Sequence, residues 1–245
     1  MVILLSNDDG YKAKGINILE KVLTERGHRV LVAAPETEQS GKSHAMTIHT
    51  SLRVRKLSDD HYSVGGTPAD CVIYSLCGEF FNVIPDVVIG GINHGYNQSV
   101  DMIYSGTCAV ARQASLYGLP SIAVSAEESD ECLLFRTAGF VADNLDYFLS
   151  LIREYTFLNI NVPMNFNGSG RSAGVGLCRY FDHVEEVSCD DGSSDLKLVG
   201  GGVDHPELPG QTLLPDHAVC LQGYASLSLV DDLPHVSRHM GEMKV

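Results

Sequence analysis

Two rhythms of apolar and polar residues alternate along the chain. Val2–Ser6 is a short unbroken apolar run, the pattern of a strand buried on both faces. Ile16–Arg26 places apolar residues at 16, 18, 19, 22 and 23, the spacing of one helix face, and Gly27 closes it. His28–Ala34 repeats the strand pattern. The first 34 residues therefore predict a βαβ unit, whose crossover should be right-handed.

The rhythm continues downstream. Leu52–Leu57 and Tyr62–Val64 predict two short strands in a hairpin. Thr67 can cap a helix running to about Cys77, with Pro68 at its first position. Asp86–Gly90 predicts a buried strand, Tyr104–Tyr117 a helix closed by Gly118, Pro120–Ser125 a strand, Cys132–Ile152 one long helix, and Phe157–Val162 a strand. Strands alternating with helices predict a doubly wound α/β sheet. After Pro163 the texture changes. Residues 164–215 are rich in Gly, Ser, Asp and Pro, with alternating runs at Ala173–Tyr180 and Asp195–Val199, and predict an antiparallel β-rich excursion. Val219–Val230 reads as a returning strand of the core. The organisation expected is a core over 1–163, an excursion over 164–215, a return strand of the core over 216–230 and a C-terminal tail over 231–245. Such a tail either frays or packs on a neighbouring subunit.

Charge removes several classes of partner. Seventeen basic and 31 acidic residues leave a net charge of −14, against a protein that grips a nucleic-acid backbone or an anionic membrane surface. No apolar run reaches the length of a membrane span. Met1–Asp9 has no basic segment and turns acidic at once, so it reads as a buried strand, not as a signal peptide. Seven cysteines with no Cys-x-x-Cys pair read as reduced thiols, which points to the cytoplasm.

In such a sheet, ligands bind at the carboxyl ends of the strands, so the residues that follow each strand carry the chemistry. The first strand is followed by Asn7-Asp8-Asp9-Gly10. Adjacent carboxylates repel, and a divalent cation offsets that repulsion; the same residues can equally shape a turn and cap the next helix. The second strand leads into Ser40-Gly41-Lys42-Ser43. This lacks the first glycine of a P-loop, because Glu36 stands there, and is read as a polar loop facing Asp8 and Asp9. Gly91-Ile92-Asn93 offers an amide oxygen. Tyr104-Ser105-Gly106-Thr107 opens a helix, where free N–H groups can hold a phosphate or the hydroxyls can simply act as caps. Together these loops supply hard oxygen donors suited to Mg2+, Mn2+ or Ca2+ over zinc or copper. His44 and His94 lie nearby in sequence, as proton donors or as structural histidines.

Ile3-Leu4-Leu5-Ser6-Asn7-Asp8-Asp9-Gly10, Ala34-Pro35 with Ser40-Gly41, Gly66-Thr67-Pro68-Ala69-Asp70-Cys71, Gly91-Ile92-Asn93 and Tyr104-Ser105-Gly106-Thr107 resemble, in order, the motifs of the SurE (survival protein E) family. The resemblance runs from residue 1 to about 125 and continues through Leu158–Pro163 to Gly223-Tyr224. It implies a Rossmann-like three-layer core with a protruding β-rich excursion. It also implies a metal-dependent phosphatase of nucleoside 5′- and 3′-monophosphates, with some action on short polyphosphate, and homodimers or homotetramers that exchange C-terminal segments. By motif match, Asp8, Asp9, Ser40 and Asn93 would hold one divalent cation per subunit, Mg2+ or Mn2+, with Ca2+ able to take the site. Asn97, Ser105, Gly106 and Thr107 would line the phosphate site. Asp8 would either attack phosphorus or activate water.

The chain departs from the family pattern in places. Glu36-Thr37-Glu38-Gln39 replaces a usually basic loop and Lys42 a small residue, both of which bear on substrate preference. Val100-Asp101 replaces an acidic pair, and Leu229-Val230-Asp231 replaces a Thr-Pro-Leu near the last strand. Two other readings are a nucleotide-sugar-dependent transferase and a non-catalytic nucleotide or metal sensor.

Overall fold

In the computed structural model, which describes residues 1–127, 130–190 and 193–232, the apolar runs become the middle of one large sheet. The first half of the chain runs β1 (Val2–Ser6), α1 (Lys14–Glu25), β2 (Arg29–Pro35), β3 (Val54–Lys56), β4 (His61–Val64), α2 (Pro68–Cys77), β5 (Val87–His94), α3 (Asp101–Tyr104), α4 (Gly106–Leu116) and β6 (Ser121–Ala126). The second half runs α5 (Glu131–Asp143), α6 (Leu145–Leu151), β7 (Thr156–Val162), β8 (Gly170–Ser172), β9 (Arg179–Tyr180), β10 (His183–Asp190), β11 (Ser193–Val199), β12 (Val203–Asp204), α7 (Asp216–Leu221) and β13 (Ala225–Asp231). Among the described residues, nine strands pair in the order β3-β4-β2-β1-β5-β6-β7-β13-β8. The pairs from β4 through β7 are parallel. β3 runs antiparallel to β4, and β13 antiparallel to β7. This is the α/β class that the alternation predicts.

Why the sheet is covered on both faces follows from alternation. Ile3 and Leu5 point to one face, against Ile16, Leu19 and Leu23 of α1 and Leu133 of α5; Leu4 points to the other, with Leu31, Val88, Val72 of α2 and Val110 of α4. Each such side chain contributes ~1.5–3 kcal/mol on burial, so a one-residue slip of β1 would misplace all three. Close approach adds a steric condition. A Cβ on Gly15 would lie 2.0 Å from the Ile92 carbonyl oxygen, so only glycine lets α1 rest directly on β5.

Four expectations change. The helix predicted over 104–117 begins at Gly106, because Ser105 is extended and its Oγ accepts from the Cys108 N–H; a separate turn, α3, precedes it. The helix predicted over 132–152 breaks at Asn144, whose side-chain amide donates to the Phe140 carbonyl, giving α5 and α6. The run 219–230 is not one strand: 216–221 form α7, anchored by buried Asp216, and β13 starts at Ala225. Of 173–180, only Arg179–Tyr180 is a strand, paired with β12. Within 164–215, β10 and β11 form an antiparallel hairpin, while β8 joins the main sheet beside β13. The exchanged tail expected over 231–245 falls mostly on 233–245, outside the described residues. Among the described residues no helix is long and apolar enough to cross a membrane.

Candidate active site

The turn after β1 is built by its own asparagine. Asn7 Nδ2 donates to the Gly10 carbonyl and Gly10 N–H donates back to Asn7 Oδ1, at 3.0 and 3.2 Å, so Asp8 and Asp9 are held at the crown of a closed loop. Asp8 is buried. Thr107 Oγ1 donates to Asp8 Oδ1 at 2.5 Å, and the backbone N–H groups of Gly106 and Thr107 also point at its carboxylate. The N-terminus of α4 therefore meets Asp8 directly, where the partial positive end of the helix offsets its charge. Burial nevertheless pushes the Asp8 carboxyl above its ordinary range.

That contact requires Gly106. A Cβ there would lie 2.7 Å from Asp8 Cβ and 2.9 Å from both Asp8 Oδ2 and Pro68 Cγ. Asp9 is half-buried beside Asp8. Burial, then the Asp8 charge, then Glu38, push its carboxyl up to about 6, opposed by a hydrogen bond from the His94 backbone and by the His94 ring.

Asn93 closes β5. Its amide nitrogen donates to the carbonyls of His94 and Gly95 at 3.3 and 2.9 Å, which turns its amide oxygen the other way. Ser40 lies in an exposed loop and its Oγ donates to Glu38 Oε1 at 2.8 Å; the loop is tied to the site by Gln39 N–H donating to the Asp8 carbonyl at 2.7 Å. The Gly41-Lys42-Ser43 stretch opens no helix. Ser43 instead bonds to the carbonyls of Ile103 and Tyr104. His44 is held by Gln113 at 2.8 Å, and burial pushes its ring below the usual histidine range.

The loop after β5 rests on a buried polar network. Asn97 donates through its side chain to Ser125 Oγ and through its backbone N–H to Asn161 Oδ1, both at 2.8 Å; Asn159 and Asn161 donate to its carbonyl. Two residues on, Ser99 donates through N–H and Oγ to Asp216, which also accepts from the N–H groups of Gly176 and His217. Ser125, Asn159, Asn161 and Asp216 were not singled out from sequence. Their signal was present: Leu158-Asn159-Ile160-Asn161-Val162 puts two amides inside a strand whose neighbours are all core, and buried amides need partners.

The structure thus gathers Asp8, Asp9, Gly106 and Thr107 into one cluster, with Asn93 at the next strand tip and Ser40 on the loop above. Asn97 and Ser105 spend their side chains on Ser125 and on capping α4. Among the described residues no three His, Cys, Asp or Glu converge as a metal cluster. Two carboxylates with neutral oxygens still fit a hard cation that keeps water and shares substrate oxygens. The carboxylate pair, with no Lys or Arg bridged to it among the described residues, is the observation that favours such an ion.

The chain is similar to known proteins over most of its length. A family model described as Survival protein SurE matches residues 3–185. A protein of Pseudothermotoga lettingae named 5′-nucleotidase SurE is 36% identical over 233 residues, covering 93% of this chain and 88% of that protein. One of Leptospira biflexa with the same name is 36% identical over 216 residues, covering 86% and 87%. The crystal structure of the SurE protein from Aquifex aeolicus superposes with a TM-score of 0.78 at 31% identity, covering 98% of this chain and 96% of that one.

Proposed function

Because the chain belongs to the SurE family, we propose that it is a divalent-metal-dependent 5′-nucleotidase, hydrolysing nucleoside monophosphates to nucleoside and phosphate. The observation that carries this reading is the Asp8–Asp9 pair, acidic oxygens for a cation, set against the positive N-terminal end of α4, whose dipole favours an anion. In this reading Asp8, Asp9, Ser40 and Asn93 hold Mg2+ or Mn2+. When bound, the cation supplies charge neutralisation at the phosphate and lets an acidic protein accept an anion.

The chain's own residues do the rest. Thr107 fixes one oxygen of Asp8, so the carboxylate is held in one orientation for attack on phosphorus or for taking a proton from water. Ser105, Gly106 and Thr107 stand at the positive end of α4, where phosphate oxygens gather. Asn97, locked by Ser125, Asn159 and Asn161, keeps the loop after β5 at the phosphate. Positioning and electrostatics do most of the work in phosphoryl transfer. Residues 1–163 form the catalytic core of this proposal, and the excursion and tail serve homodimer or homotetramer contacts in a cytoplasmic protein.

The test is phosphate release from nucleoside 5′- and 3′-monophosphates and short polyphosphate, with Mg2+, Mn2+ or chelator. Release with metal that chelator abolishes is expected. Turnover only with an added acceptor would indicate a transferase, and tight binding without release a sensor. The acidic loop that departs from the family makes a further prediction. Glu38→Gln removes a charge facing Asp9 and is expected to lower KM about two- to fivefold at low ionic strength, fading as salt rises. An unchanged KM across that salt series would place Glu38 outside the field of the site.

A further inference from the structure

The short helix α3 cannot hold its own place. It has four residues, too few to be stable alone, and none of its side chains is fully buried; Ile103 and Tyr104 face solvent. Yet it joins two pieces of the candidate site. The carbonyl of its first residue, Asp101, accepts the Ser105 N–H at 3.1 Å, where the chain enters α4. Its last carbonyls anchor the loop that carries Ser40: Ile103 accepts the Ser43 hydroxyl at 2.6 Å and Tyr104 the Ser43 N–H at 2.9 Å. Ser43 is held there at φ +53°, a left-handed conformation that a residue with a side chain keeps only where its neighbours impose it.

What fixes α3 therefore comes from outside it. On one side Ser99, just before it, is tied to Asp216 through its N–H and Oγ. On the other, the Asp101 carboxylate meets the excursion. Tyr180 O–H donates to both of its oxygens, Oδ1 at 2.7 Å and Oδ2 at 2.6 Å, and the Cys178 thiol lies 3.8 Å from Oδ1. Hydrogen bonds to an ionised acceptor are roughly twice as strong as neutral ones. Burial and the Asp101 carboxylate push the Tyr180 hydroxyl up from its ordinary range, so it remains a donor. Tyr180 is itself placed by backbone. It pairs with Val203 between β9 and β12, and the next residue, Phe181, donates its N–H to the Gly202 carbonyl at 3.0 Å. The hairpin strand β10 begins three residues on, at His183.

We propose that Tyr180 is a positioning residue for the reaction: by holding Asp101 it sets α3, and α3 keeps the positive end of α4 in register with the Ser40 loop. The excursion then completes the site from 79 positions along the chain. The proposal rests on the nucleotidase reading, which puts the phosphate between those two pieces.

Tyr180→Phe keeps the ring and removes the bond. Steady-state kinetics on a nucleoside 5′-monophosphate with Mn2+ should show KM raised about three- to tenfold in Tyr180→Phe and in Asp101→Ala, the size of one solvent-accessible hydrogen bond. The turnover number kcat should stay within about twofold, because a displaced phosphate site weakens ground state and transition state alike. The double variant should lose no more than either single one. Asp101→Asn, which keeps an oxygen for the Tyr180 hydroxyl, should stay within about twofold of wild type. Hydrogen exchange of the full chain in chelator needs no turnover. In Tyr180→Phe it should quicken over 40–44 and 101–105 and stay unchanged over β1 and β5. An unchanged KM or unchanged exchange in Tyr180→Phe would overturn the proposal. So would additive losses in the double variant, or exchange that quickens evenly over the whole chain, the mark of a role in global stability alone. A wild type that hydrolyses no nucleoside monophosphate would overturn the nucleotidase reading instead, and the exchange pattern would still decide whether Tyr180 fixes α3.

Discussion

Asp8→Asn is expected to reduce phosphate release at least about a hundredfold, ~2.7 kcal/mol of transition-state stabilisation, without unfolding the protein. The amide keeps the size of the carboxyl, and its oxygen can still accept the Thr107 hydroxyl, so the crown of β1 keeps its shape. What is lost is one of the two charges proposed to draw a cation to the site. Removing a buried charge that repels Asp9 should also leave the melting temperature in chelator unchanged or raised. A variant that keeps more than a tenth of wild-type turnover would show that Asp8 is not at the reacting centre. A large drop in melting temperature would show that its role is in holding the fold.

Gly106→Ala should be damaging for a different reason. The methyl group would meet Asp8 and Pro68 at under 3.0 Å, and neither can move freely, since Asp8 sits on a buried strand tip and Pro68 opens α2. Overpacking of this kind costs about 1–3 kcal/mol. The cheapest relief is to push Asp8 off the α4 N-terminus, so activity is expected to fall more than stability, by about tenfold to a hundredfold. Thermal melts and kcat measured on one preparation separate the two effects. Wild-type activity with a lowered melting temperature would mean that the contact serves packing alone.

How much of this was legible in the sequence depends on whether a feature is local. The βαβ start, the Thr67 cap and its Pro68, and the tips at Asp8 and Asn93 are written in consecutive residues, and the structure has them. The capping box at Thr67 even closes through Asp70 as its spacing allows. The misses are of two kinds. Breaks inside apolar stretches, at Ser105, Asn144 and Gly223, hang on one side chain or turn outweighing a favourable periodicity. The network around Asn97 and Ser99 joins these residues to partners 28 to 117 positions away, so no short window of sequence contains both partners. Glu38 belongs to the second kind as well: its nearness to Asp9 follows only once the loop after β2 folds over β1.

The buried Asp216 has a consequence for how the protein is made. The backbone of Ser99, only two residues from Asn97, finds its acceptor 117 positions later in the chain. Domains tend to fold from the N-terminus as they are synthesised. Here the strands β1, β2, β5 and β6 can pair while the rest is still being translated, but the loop beside the proposed phosphate site keeps unsatisfied donors until α7 arrives. A growing chain therefore carries a sheet before it carries a finished carboxyl edge, and the loop after β5 settles only once Asp216 and α7 are in place.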